Sequence, residues 1–221
     1  MTEVLPLPTL LPLGDGALLV RFGSTLSDVA NRAAIAFARL LEQQPVAGIS
    51  EIDPNLVSVL IRFGEGADPD QLAGEIRLLL FRFDGAAAVE PAHHTIEVRF
   101  GGADGPDLDA AAAALGLSPE AFIAAHNAQT LRVLTTGFAP GFVYCGFHSA
   151  ELDLSRRDRL RDNVPAGSLL FAAGQTALSA TTIRTGWHVI GRTEFRNFDA
   201  TKLPPTLLRE GDMVSFVEAA P

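Results

Sequence analysis

Lysine and cysteine are almost missing from this 221-residue chain: Lys202 and Cys145 each stand alone. A single lysine, outside any Gly-rich or Met-Lys-Met context, excludes a P-loop lysine and a biotin attachment site. A lone cysteine excludes an internal disulfide and any Cys-based zinc site. Positive charge is also scarce, with 17 Lys and Arg against 26 Asp and Glu for a net −9. That balance argues against a nucleic-acid partner, whose affinity rests on clustered basic side chains. No apolar run approaches the roughly 18 residues of a membrane span. The apolar start, Val4 to Leu13, is interrupted by Pro6, Pro8 and Pro12 and lacks a basic leader, so it is not read as a signal peptide. Gly-x-Ser-x-Gly, His-Glu-x-x-His and Walker A patterns do not occur. His93-His94 are neighbours, which on a strand point to opposite faces, so no metal site is expected. These absences lead to a soluble, cytoplasmic protein with no membrane partner, no metal and no cofactor bound directly.

Hydrophobic residues make up 48% of the chain and charged residues 19%, which fits a folded protein of one large or two small domains. Leu10–Leu13 and Ala17–Phe22 flank the turn signal Gly14-Asp15-Gly16. Ser27-Asp28 opens a helix with Val29, Ala33, Phe37, Leu40 and Leu41 on one face. Val57, Val59, Ile61 and Phe63 alternate with Ser58, Leu60 and Arg62 as a strand does. Asp68-Pro69-Asp70-Gln71 is a helix start with a capping box, Leu72, Ile76, Leu79, Leu80 and Phe83 form its stripe, and Gly85 ends it. Two helices on about four strands make a small α+β domain over 1–88, with a boundary in Gly85–Pro91.

The second domain, 89–221, begins with the alternating strand Thr95–Phe100 and two short helices, Asp107–Leu115 and Pro119–Asn127, the latter capped by Ser118. Short apolar runs punctuated by Gly and Pro then follow: Leu131–Leu134, Ser168–Ala172, Trp187–Ile190 and Met213–Val217. Such spacing suggests a closed or nearly closed β-barrel.

Four clusters hold candidate site residues. Gly137-Phe138-Ala139-Pro140-Gly141-Phe142 is a tight loop that either packs on a barrel rim or lines a cleft. Gln175 offers a donor and an acceptor to a ligand, or satisfies loop backbone. Trp187 reads as core or cleft wall. Arg192 beside Gly191 is an anion clamp or a surface ion pair. His126, one turn after Phe122, is either a satisfied core histidine or the acid/base group of a cleft. The run Arg156, Arg157, Arg159, Arg161 is an anion site or a solvated charged face. Residue types alone suggest a binding module or a partial active site.

The motif order resembles a known family. Gly101-Gly102, Gly105-Pro106-Asp107-Leu108, the Gly137–Phe142 loop, Val164-Pro165-Ala166-Gly167-Ser168, Gly174-Gln175-Thr176, Gly186-Trp187, Ile190-Gly191-Arg192-Thr193, Phe198-Asp199 and Gly211-Asp212 together resemble the allophanate hydrolase subunit 1 family, the carboxyltransferase domain subdomain C and D. That family also holds the B subunit of bacterial 5-oxoprolinase and the Kip inhibitor of a histidine kinase. The resemblance implies an N-terminal α+β domain followed by a cyclophilin-like β-barrel. It implies a non-autonomous member of an ATP-dependent amide-hydrolysing complex, foremost 5-oxoprolinase (5-oxoproline to glutamate), inactive alone. The implied partners are a homologue of the 5-oxoprolinase C subunit, the corresponding A subunit and a small amide or lactam substrate, with ATP used by the complex. The alternatives are a Kip-type kinase inhibitor or a component related to allophanate hydrolase and urea carboxylase.

Overall fold

Local chemistry starts the first long helix where the sequence suggests. Ser27 is extended and its Oγ accepts from Ala30 N–H at 3.3 Å, satisfying one of the helix's orphan donors. The structure, a computed structural model, describes residues 7–85 and 90–220. It divides into two compact units after Glu90. The expected boundary at 88/89 and the residues Val4–Pro6 of the apolar start lie outside the described residues.

The first unit contains β1 (Thr9–Pro12), β2 (Ala17–Arg21), α1 (Asp28–Gln43), β3 (Ile49–Pro54), β4 (Ser58–Phe63) and α2 (Pro69–Arg82). Its antiparallel sheet has the order β1-β2-β4-β3. Val20, Phe22, Val59 and Ile61 are fully buried against Phe37 and Leu41 of α1 and Leu72 and Ile76 of α2. Each such side chain contributes about 1.5–3 kcal/mol by leaving water. Two local expectations differ. Asp68 caps α2 by accepting from Asp70 and Gln71 N–H, but the Gln71 amide turns to Glu75 rather than back to complete the box. The helix stops at Arg82, before Gly85, because Phe83 turns extended and packs its ring 5.4 Å from that of Phe37.

The second unit contains β5 (His93–Phe100), α3 (Leu108–Ala114), α4 (Pro119–Asn127), β6 (Leu131–Thr136), β7 (Val143–Gly146), a 3-10 turn (Ala150–Leu152), β8 (Arg161–Val164), β9 (Ser168–Ala172), β10 (Gln175–Leu178), β11 (Ile183–Thr185), β12 (His188–Arg192) and β13 (Met213–Glu218). Seven strands close a barrel in the order β10-β7-β6-β13-β5-β12-β9, while β8 and β11 pair separately. The α+β expectation with a barrel therefore stands. One pair, β5 with β13, is parallel. Alternation along β9 divides two cores: Leu169 and Phe171 face the barrel interior with Ile96, Val98 and Phe216. Leu170 and Ala172 face outward, where Val164 and Ile183 of the β8–β11 pair cover them together with Phe142, Trp187 and Val189. The stretch before α3 lies against β12, with Gly101 N–H on Ile190 O at 3.1 Å and Asp107 N–H on Val189 O at 3.0 Å. Gly105 is obligatory there, since a Cβ would sit 2.1 Å from Ile190 O.

Candidate functional site

The loop Gly137–Phe142 joins β6 to β7 and is held by its own backbone. Gly137 N–H donates to Phe142 O at 3.1 Å, and Phe142 N–H to Ala139 O at 3.0 Å. Asn197, fully buried, donates its amide to Gly141 O at 2.9 Å. Gly141 has φ +68°, and a Cβ on it would meet Phe198 Cβ at 2.5 Å and Ala180 Cβ at 2.8 Å. Ala139 is half-buried and Pro140 exposed. Phe138 adopts φ 73° and is 70% exposed, whereas Phe142 is buried. Of the two phenylalanines, one is therefore presented to solvent, its ring 5.3 Å from the other's.

An aromatic row continues along the outer face. Phe142 lies 4.8 Å from Tyr144, and Tyr144 lies 5.7 Å from Trp187. Trp187 is buried, as a core or cleft-wall residue would be, and the Arg156 guanidinium sits 5.6 Å from its ring centroid. Burial raises the Tyr144 phenol, with Arg156 opposing it.

Arg192 closes the same face. It pairs in register with Ser168, two residues before the outward Leu170 on β9, and the register shift between Val189 and Gly191 places Arg192, three residues after Val189, on that outer face. A cavity of about 180 Å³ opens there, lined by Gly167, Ala180, Arg192, Thr193, Arg196 and Phe198, among others. Ala180 and Phe198 also crowd Gly141, so the predicted loop packs behind the wall of the cavity that Arg192 lines, and none of residues 137–142 lines it. Among the described residues, Arg192 and Arg196 have no ion-pair partner.

Two predicted residues lie elsewhere. Gln175 begins β10, at the end opposite Ala180, with Cγ 3.6 Å from the position a Cβ on Gly146 would take. His126 is completely buried among the rings of Phe100, Phe122, Phe171 and Phe216 inside the barrel, not at the outer cleft. Helical spacing aligned it with Phe122 correctly; that face turns into the core. Its partners were not visible in the sequence. Nδ1 lies 2.7 Å from Asn127 Oδ1, and Nε2 lies 2.8 Å from Thr176 Oγ1, which is itself 2.7 Å from His148 Nε2.

The hydrogen-bond chemistry fixes the protons. A carbonyl oxygen can only accept, so His126 Nδ1 carries hydrogen, its Nε2 is bare, and Thr176 donates to it. His148 must then donate from Nε2, leaving its Nδ1 bare, and that buried atom has no partner among the described residues. Both rings stay neutral: desolvation pushes His126 down to about 4, and desolvation together with the nearby His126 pushes His148 down to about 3.

Two members of the arginine run are docked and two are exposed. Asp107, 9% exposed at its side chain, binds Arg161 at 2.5 Å and Arg157 at 3.5 Å. Arg159 is exposed. Cys145 is buried and its thiol is pushed up to about 12 by desolvation, so it is inert as a nucleophile. Among the described residues no group of three or more His, Cys, Asp or Glu is arranged to hold a metal ion. No single helix among them is long and apolar enough to cross a membrane.

The family model "Carboxyltransferase domain, subdomain C and D" matches residues 8–208. The chain is 32% identical to the B subunit of 5-oxoprolinase from Bacillus subtilis (strain 168), covering 93% of this chain and 90% of that protein. It is also 32% identical to the corresponding 5-oxoprolinase B subunit of Escherichia coli O157:H7, covering 93% of each. Among solved structures, TTHA0988 superposes with TM-score 0.80 at 32% identity over 94% of this chain, which spans only 40% of that longer one. The urea amidolyase of K. lactis shares the fold, with TM-score 0.77 at 18% identity over 96% of this chain and 15% of that chain.

Proposed function

Because the chain belongs to the carboxyltransferase domain, subdomain C and D, family, we propose that it is the B subunit of an ATP-dependent 5-oxoprolinase, a hydrolase complex that opens 5-oxoproline to glutamate. The observation that carries this reading is the end-to-end match to the 5-oxoprolinase B subunit, with 93% of this chain and 90% of the Bacillus subtilis protein covered. The outer-face cavity supports it: two unpaired arginines suit the carboxylate of a small acid, and Ala180 and Phe198 offer an apolar wall to a ring.

The protein is non-autonomous in this reading. His126 is sealed in the barrel and His148 is half-buried beside it, both held neutral by desolvation, and the cysteine is inert. The carboxylate of the cavity lining, Glu194, is engaged by Arg99. The companion C and A subunits supply the missing groups. ATP belongs to a companion as well. About 180 Å³ is too small for a nucleoside triphosphate. Of two larger hollows in the first unit, one is lined by Glu42 and Glu51, whose charges repel phosphate, and the other by Glu75 and Arg82, which offset each other. Deleting the gene and asking for growth on 5-oxoproline as nitrogen source tests the assignment. Loss of growth, restored by the gene, is expected; unimpaired growth contradicts it and favours kinase inhibition or urea-related metabolism.

A further inference from the structure

We propose that the cavity between β12 and the Gly141 loop binds a small carboxylic acid whose carboxylate is held jointly by Arg192 and Arg196. The sequence singled out only Arg192; Arg196, four residues beyond the end of β12, lines the same cavity.

Arg192 is half-buried and Arg196 exposed, so water partly screens the two charges, and an anion in the cavity they both line would be attracted by both. The third charged residue of the lining, Glu194, is 80% exposed and turns to Arg99 at 2.9 Å, which also holds Asp104, and it pairs with neither Arg192 nor Arg196. Three backbone donors of the wall are taken. Gly167 N–H goes to Ser179 O at 2.7 Å, Thr193 N–H to Gly167 O at 2.9 Å, and Phe195 N–H to Thr193 Oγ1 at 3.0 Å. A phosphate cradle built on free amides is therefore absent at these positions, and the guanidiniums remain as the charged donors. Planar forks match a carboxylate well. Ser168, in register opposite Arg192, keeps a buried Oγ with no hydrogen-bond partner, a further donor on the arginine's face. Ala166, Ala180 and Phe198 complete an apolar wall, and about 180 Å³ admits a ligand of roughly ten heavy atoms.

That the cavity takes a small carboxylate rests on this geometry; that the acid is 5-oxoproline rests on the proposed function. Amide NMR of the full chain, titrated with 5-oxoproline, 2-pyrrolidone and acetate, separates the two. The expected result is saturable shifts at Gly167, Ala180 and Thr193 with 5-oxoproline and none with 2-pyrrolidone, which lacks the carboxylate. Arg192→Gln and Arg196→Gln should each weaken the apparent Kd by at least about tenfold, the scale of one charged hydrogen bond. Arg184→Gln, which breaks an exposed pair with Asp162, should leave it unchanged. Both arginine variants binding as tightly as wild type, 2-pyrrolidone binding as well as 5-oxoproline, or no shift with either acid overturns the proposal. Arginine-dependent acetate binding with no preference for 5-oxoproline upholds the carboxylate site and counts against the 5-oxoprolinase reading.

Discussion

The Asp107 carboxylate accepts the Val189 backbone N–H at 2.9 Å across 82 residues of sequence. Asp107 stands at the N-cap of α3 yet makes no side-chain cap there. Its oxygens instead fix β12 and hold Arg157 and Arg161, so one buried charge ties three segments of the barrel unit together. Asp107→Ala should cost about 3 kcal/mol, because it leaves an amide and two arginines without their acceptor. Urea unfolding measures it; a loss under about 1 kcal/mol would show that the hub is dispensable.

Gly141 and Gly66 both have positive φ, but only Gly141 is crowded. Gly66→Ala should cost about 1–2 kcal/mol, the left-handed penalty alone. Gly141→Ala must in addition push Phe198 and Ala180 apart, so its melting temperature should fall well below that of Gly66→Ala. Equal shifts would mean the cavity wall yields freely.

The neutral histidines make stability pH-dependent in a defined direction. His126 has an ordinary value of 6.5 and a folded value of about 4, so between these the unfolded chain binds more protons than the folded one. The stabilisation is complete above pH 6.5 and is lost as pH falls through about 4. It is worth on the order of 3 kcal/mol. Unfolding curves at several pH values should show the advantage of wild type over His126→Gln shrinking on acidification. A constant gap would contradict the neutral buried pair.

Much of this was legible in the sequence, and what was missed has a common physical origin. Caps at Ser27, Asp68 and Ser118, and alternation along Thr95–Phe100 and Ser168–Ala172, are local signals, and these elements form as the pattern indicates. The parallel closure of β5 on β13 joins distant segments and leaves no local trace. The same holds for the His126–Thr176–His148 chain, whose links span 50 and 28 residues. Basic composition marked Arg156–Arg161 as a charged run; that Asp107 receives two of its members depends on tertiary folding. Arg192 was readable from its Gly-Arg context, whereas Arg196 gains meaning only from the cavity it shares.

Phe138 supplies a prediction about assembly. Its ring is 70% exposed on a loop held by Asn197, a rigid apolar projection suited to an interface. Phe138→Asp should leave unfolding free energy within about 0.5 kcal/mol of wild type. The proposed complex with a homologue of the 5-oxoprolinase C subunit, expected to bury more than about 1,000 Å², should weaken at least tenfold in a co-elution or calorimetric assay. An unaffected complex would place the interface elsewhere.

The most direct test of the central claim is glutamate release from 5-oxoproline with ATP, measured for this chain alone, for its companion subunits alone, and for the reconstituted mixture. The account predicts turnover only in the mixture, and its loss when the added chain carries both Arg192→Gln and Arg196→Gln. Turnover by the chain alone would contradict its non-autonomy, and an inactive mixture that nonetheless assembles would contradict the 5-oxoprolinase assignment itself.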